Sequence, residues 1–389
     1  MKKQRNDIYL IIAVTMLLTI GLIMVFSASA VMAEEKHGSL LYFAQKQILW
    51  GFFCISAIFV FSRIKYTNWA KENYPLISIT IAVFFLLGLF VLGDEVNGAK
   101  RWYNLGFASF QPSEFAKIVI IIYFSDIFTR KGAALRNWKK GLLPHLFVFL
   151  FITIPIFYQP DLGTVLMLSL TISTMTLLSN IRFKHLLAGI IFILPALFLK
   201  IQMSNYQLTR LTSWFKNISN PLGCSYQIKQ SLIGLGLGGA IGSGPGTSKQ
   251  KFFFLPDSHT DFVFSILGEE FGFIGSSLVL ILFLIILWRG IYIAKRAPNT
   301  FGKYLAIGLT MNLVLYCFVN VAVVTMLIPT TGIPIPFISY GGSSLLFSGI
   351  AIGILMNISR YRYHAILNSR LEQWQNNRKQ LYQTFISTR

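Results

Sequence analysis

From Ile8 to Ala33 the chain carries no charged residue, and this is the first of ten long apolar runs. The others cover about 47–62, 76–93, 112–129, 141–158, 162–181, 184–200, 262–288, 304–328 and 337–359. A helix needs about 20 apolar residues to cross the hydrocarbon core, where only a backbone bonded within itself is tolerated. The run at 112–129 is interrupted by Glu114, Lys117 and Asp126, and the run at 184–200 is short. Soluble domains carry about 25% charged residues; here the figure is 12%, which excludes that class. Fifteen per cent aromatic residues exclude a disordered chain. The reading is an all-α, polytopic integral membrane protein with ten transmembrane helices. Cys54, Cys224 and Cys317 are odd in number and lack metal-ligand spacing, so neither a disulfide framework nor a cysteine zinc site is expected.

The basic residues orient the spans. With both termini cytoplasmic, the inner segments hold 23 of the 34 Lys and Arg, the outer ones hold ten, and Lys117 lies within a span. Six of the outer ten fall in one long loop, a class that weighs little in the positive-inside rule. Most of the formal charge of +20 therefore reflects topology and attraction to anionic membrane lipids, and no nucleic-acid partner is expected. Lys2, Lys3 and Arg5 ahead of the first run also suit a signal peptide, but that run exceeds an h-region of 7–15 residues, so a retained helix is expected. Residues 1–360 form one membrane domain with a large extracytoplasmic loop, about 201–261, between helices 7 and 8. Residues 361–389 form a basic cytoplasmic tail.

Chemistry is expected on the outer face. The stretch GLGLGGAIGSGPGTSKQK, Gly234 to Lys251, contains a formal G-x-G-x-x-G, but no βαβ pattern surrounds it. Its backbone N–H groups can cradle a phosphate, with Lys249 and Lys251 adding charge; equally, the glycines can serve tight packing. In LPDSHTDF, Leu255 to Phe262, Asp257 and Asp261 lie four apart and share one face whether the segment is helical or extended, with His259 between them. Such a pair can take a proton or hold a divalent cation, and Asp261 can instead cap the helix that follows. Asp94, Arg101, Glu114, Lys117, Asp161, Glu269 and Glu270 flank or enter spans, where charge is costly and is expected to face a cavity or a partner. Glu114 and Lys117, three apart, either pair with each other or bind substrate. His145 and His185 receive no functional role.

Longer stretches resemble a known family. FSASA at Phe26–Ala30, GAKRWYNLGFASFQPSEFAK at Gly98–Lys117 and QPDLGT at Gln159–Thr164 match in order. They are followed by the stretch from Tyr226 to Gly275 that contains LPDSHTDF, and by GIPIPFISYGGSS at Gly332–Ser344. Together they resemble the SEDS family (shape, elongation, division and sporulation), which contains FtsW, RodA and SpoVE, and the loop wording is nearer FtsW than RodA. One departure is Asp257, where the family usually carries Glu.

The resemblance implies ten transmembrane helices and peptidoglycan glycosyltransferase activity on lipid II, a disaccharide-pentapeptide on undecaprenyl pyrophosphate. It implies a class B penicillin-binding protein and other divisome proteins as partners, in the bacterial inner membrane at the division septum. The family's essential acid falls on Asp261, and its cationic and aromatic positions fall on Arg101, Trp102 and Lys117, with Glu114 in the same motif. Asp261 is then the base toward the acceptor 4-hydroxyl, while cations hold the departing diphosphate. Substrate-binding candidates are Arg101, Trp102, Glu114, Lys117, Lys249, Lys251 and His259. No cofactor is obligatory; a divalent cation, Mg²⁺ or Mn²⁺, is an alternative stabiliser, with Asp257 as its ligand. A lipid II flippase and a non-catalytic scaffold for the penicillin-binding protein are the rival readings.

Overall fold

The structure is a computed structural model that describes residues 7–96, 98–106, 108–137, 141, 143–179, 181, 205–219 and 225–361. Helices coincide with nine of the ten apolar runs: α1 (Ile8–His37), α2 (Tyr42–Phe61), α3 (Tyr74–Leu92), α4 (Pro112–Lys131), α5 (Leu143–Tyr158), α6 (Leu162–Leu177), α9 (Val263–Lys295), α10 (Thr300–Val324) and α11 (Gly342–Tyr361). The run at 184–200 lies outside the described residues, as do Lys2, Lys3, Arg5, His185, Cys224 and the tail from 362. Six of these helices, α1, α2, α3, α9, α10 and α11, are long and apolar enough to cross a membrane. Their outward faces are apolar: Phe52, Phe84, Val91 and Leu284 are all exposed. A water-facing bundle turns polar residues outward, so this exterior belongs against lipid.

Local chemistry sets the helix ends. Asp7 caps α1 by accepting the Leu10 N–H, and Gly38 ends it in the left-handed conformation at φ 65°. Asp161 caps α6 through the Thr164 N–H, and Asn299 caps α10 through the Gly302 N–H at 2.8 Å. Pro112 opens α4 with Glu114 in its first turn, where an acid suits the positive helix end. The sequence placed the end of the eighth run at 288, yet α9 continues to Lys295. Arg289 is buried there against Asp7, with Nη2 2.6 Å from Oδ2, so the pair closes one end of the bundle. Helix α10 is central, packing against α9, α4 and α6.

Two features depart from the expected plan. The segment about 201–261, read as one loop, carries α7 (Asn205–Ser219) and α8 (Tyr226–Gly238). Helix α9 is also broken: Gly272 takes φ 64° and ψ −161° between a short first part and the long remainder. The freed N–H groups of Phe273 and Ile274 donate to the carbonyls of Gly239 and Ala240, at 2.9 and 3.1 Å. The freed carbonyls of Glu269 and Glu270 accept from Ser243 and Gly244, at 2.9 and 3.1 Å. The glycine-rich segment thus repairs the helix it crosses, satisfying backbone that burial would otherwise leave unpaired.

Candidate active site

The segment Gly93–Phe110 folds as a three-stranded antiparallel meander, β1 (Asp94–Val96), β2 (Ala99–Asn104) and β3 (Ser109–Phe110). Its register sets Asp94 opposite Trp102 and Tyr103 opposite Phe110. The Tyr103 hydroxyl donates to the Phe85 carbonyl of α3 at 2.8 Å. Ser343, at the start of α11, accepts the Gln111 N–H at 3.1 Å and donates to the Ser109 carbonyl at 2.9 Å. On this platform Arg101 turns toward the α5–α6 connection, donating to the carbonyls of Gln159 (3.0 Å) and Pro160. These bonds use part of a guanidinium that carries five N–H donors.

The acid turn stands opposite. The Asp257 carbonyl accepts N–H groups from Thr260 and Phe262 at 3.2 and 3.3 Å, winding the segment into α9. Asp257, Asp261, Arg101, Trp102, Asp161 and Arg210 line one cavity of about 1240 Å³. One wall is apolar, formed by Leu162, Leu166 and Leu170 of α6 with Phe318 and Val319 of α10. Burial raises the Asp261 carboxyl to about 7; Asp257 and Asp161 push the same way, and Arg210 and Arg101 oppose them. At neutral pH such a group is divided between its two protonation states, which suits proton transfer. Gly332, at φ 68°, sits so close that a Cβ there would lie 3.4 Å from Asp261 Oδ2.

The other sequence candidates lie in three places. Glu114 and Lys117 pair at 2.7 Å, both buried, with Lys117 Nζ 4.0 Å over the Tyr316 ring. They line a separate pocket with Asn312 and Ser344, so Arg101 and Asp261 share a cavity that Lys117 does not line. His259 is buried between the rings of Phe43 and Tyr340, at 4.9 and 5.7 Å, and burial lowers its pKa. Lys251 Nζ contacts Glu270 Oε1 at 3.4 Å and the Gly246 carbonyl at 2.5 Å, while the Lys249 side chain is exposed.

The glycine-rich stretch does not present its amides to a ligand at its C-terminal end. Glu269 accepts the Lys249 and Gln250 N–H groups at 2.9 and 3.3 Å, and the Ser248 hydroxyl. With Ser243 and Gly244 bonded to α9 carbonyls, the phosphate-cradle reading gives way to tight packing. A Cβ on Gly238 or Gly242 would meet the α9 backbone at 1.9 or 2.2 Å, which is why glycine stands there.

Among the described residues no group of three His, Cys, Asp or Glu is placed to hold a metal. Asp257 and Asp261 suit a hard cation only if most of its ligands come from elsewhere. Sequence reasoning missed Arg210, whose Nη1 donates to the Thr330 carbonyl at 3.3 Å. Its signal was the amphipathic α7, anchored by Trp214 Nε1 on the Met326 carbonyl at 3.1 Å. Asn320 was also missed: nothing marks one amide within an apolar run.

The family profile described as Cell cycle protein (FTSW_RODA_SPOVE) matches residues 8–364. Stage V sporulation protein E of Bacillus subtilis is 40% identical over 92% of this chain and 98% of its own length. A probable peptidoglycan glycosyltransferase FtsW of Trichlorobacter lovleyi is 37% identical over 91% and 93%. The fold is similar to a chain of a peptidoglycan synthase complex that coordinates polymerization and crosslinking (TM-score 0.73, 24% identity, covering 92% of this chain and 98% of that one). It is also similar to the rod shape determining protein RodA of Thermus thermophilus (TM-score 0.67, 24% identity, 92% and 98%). With the profile spanning nearly the whole described bundle, the chain belongs to the FtsW/RodA/SpoVE family, the SEDS proteins.

Proposed function

We propose that this protein is a peptidoglycan glycosyltransferase that polymerises lipid II into glycan strands for the septal wall. The observation that carries the reading is one cavity lined by a carboxyl near neutrality, Asp261, and two arginines, Arg101 and Arg210. Its apolar wall suits a prenyl chain, and its polar end suits sugars and a diphosphate. Ten spans, two cytoplasmic termini and an outward-facing site follow the distribution of basic residues.

The acceptor 4-hydroxyl attacks the anomeric carbon of the donor, and its proton passes to the Asp261 carboxylate. As the new C–O bond forms, the bond to the diphosphate breaks and its electron pair leaves with the phosphate oxygen. Arg101 and Arg210 stabilise the charge that collects there. A single displacement inverts the donor's α-linkage to β and needs no protein nucleophile. Trp102 offers a ring against a sugar face. A divalent cation, Mg²⁺ or Mn²⁺, would be held by Asp257 and by phosphate oxygens of the substrate; it would supply further charge for the leaving group.

The partners implied by the family are a class B penicillin-binding protein, which crosslinks the strands, and the divisome around it. Purified protein with that partner and lipid II in detergent should yield glycan polymer. A flippase or a scaffold would yield none, and vesicle-based translocation of labelled lipid II would then separate those two.

A further inference from the structure

Asn320 lies in the second-last turn of α10, 2% exposed, within a helix that is otherwise largely apolar. Its amide nitrogen donates to two carbonyls, Asp261 at 2.7 Å and Ile333 at 2.6 Å. Both partners are acceptors, so the side chain must present its NH₂ there, and an oxygen in that place would repel both. The two carbonyls belong to different segments, neither regular. One is the acid turn, whose following helix has no side-chain cap at Phe262. The other is the 329–341 stretch, which places Gly332 against Asp261 Oδ2. Arg210 is also bonded to this stretch, at the Thr330 carbonyl. One amide therefore joins the acid, the wall beside it and the element that receives an arginine.

We infer that Asn320 is a positioning residue that fixes the Asp261 carboxylate relative to Arg101 and Arg210. The inference rests on Asp261 being the base of the proposed transfer. Asn320 touches no substrate; it acts by holding the turn, and a reacting group displaced by about 1 Å can lose on the order of 10²-fold in rate. The charged groups that bear on Asp261 are Asp257 and Asp161, which favour its neutral form, and Arg210 and Arg101, which oppose them. A turn released from Asn320 relaxes its distance to the two arginines, and Asp261 then titrates higher.

The test compares Asn320→Leu, which keeps the branching and number of side-chain heavy atoms and removes both bonds, with wild type and Asp261→Asn. All are assayed as full chains with the penicillin-binding partner and lipid II. The expected result is a roughly 10- to 100-fold lower kcat, a nearly unchanged KM, and an acid limb of the pH profile moved upward. Asn320→Gln, which retains the donor, should recover part of the rate. Loss of folded protein alone lowers the amplitude without moving the acid limb. If Asn320→Leu does not fold, Asn320→Asp replaces it under the same criteria, and failure of both to fold makes the residue structural and overturns the inference. It is also overturned if kcat and the acid limb match wild type while Asp261→Asn is dead. Full activity of Asp261→Asn instead removes the base reading itself.

Discussion

The carboxylate of Glu269 accepts the backbone N–H of Lys249 at 2.9 Å. That bond joins the glycine-rich segment to the broken helix it crosses, and the Ser248 hydroxyl and the Gln250 N–H converge on the same carboxylate. A side chain read from sequence as a charge at a membrane boundary is thus the acceptor that gives a ligand-like loop its shape. Glu269→Ala leaves two amides and a hydroxyl without their acceptor at a site that is 1% exposed. Removing a charged partner of this kind costs about 2–5 kcal/mol. Thermal unfolding in detergent is expected to move to clearly lower temperature, with Glu269→Gln falling between.

Two glycines of that stretch, Gly238 and Gly242, should tolerate no side chain. Gly242 has φ 95°, and a Cβ there would lie 2.2 Å from the Glu270 carbonyl oxygen. Gly242→Ala therefore faces both a disfavoured backbone conformation and a collision with main chain. A loss above about 3 kcal/mol is expected, read as a lower melting temperature or a lower yield of monodisperse protein. Gly236→Ala has open space and ordinary φ and should melt near wild type.

Activity should fall on the acid side. The Asp261 carboxyl titrates near 7, and the base must be ionised, so the rate should drop about tenfold per pH unit below that value and level off above it. Arg101 favours the charged form. Arg101→Gln should therefore shift the acid limb to higher pH as well as slow the leaving step. Initial rates of polymer formation between about pH 5 and pH 9 check both.

Stability carries the opposite sign. A carboxyl whose folded pKa lies above its unfolded value binds the proton more tightly when folded. It therefore weakens folding progressively as pH rises from the unfolded value through about 7, and fully above it. Asp261→Asn removes that cost and should raise the melting temperature at pH 8 more than at pH 5. Equal shifts at both pH values would show that the carboxyl is not raised.

How much was legible beforehand depends on the kind of signal. Membrane spans write themselves as long apolar runs, so among the described residues nine helices stand where runs are, six of them long and apolar enough to cross a membrane. The residues of the acid turn left two readings open, a proton-taking pair and a cap at Asp261; the helix instead has Phe262 at its N-cap position, with no side-chain cap. The break at Gly272 was invisible, since a glycine in an apolar run looks like any other until a crossing segment supplies its hydrogen bonds. Arg210 was hidden by being one of six basic residues in a long segment. Its role depends on α7 docking at Met326 and Thr330, contacts between positions over a hundred residues apart. Lys117 was left open for the same reason: from sequence an intramembrane lysine can serve a cavity or a neighbour, and the neighbour it meets is Glu114 at 2.7 Å.

The most direct measurement is glycan polymerisation from lipid II by the folded Asp261→Asn variant, in complex with the proposed penicillin-binding partner. A neutral amide of the same shape can take no proton, so polymer should be absent while folding and partner binding persist. Polymer formed at the wild-type rate would contradict a base at Asp261.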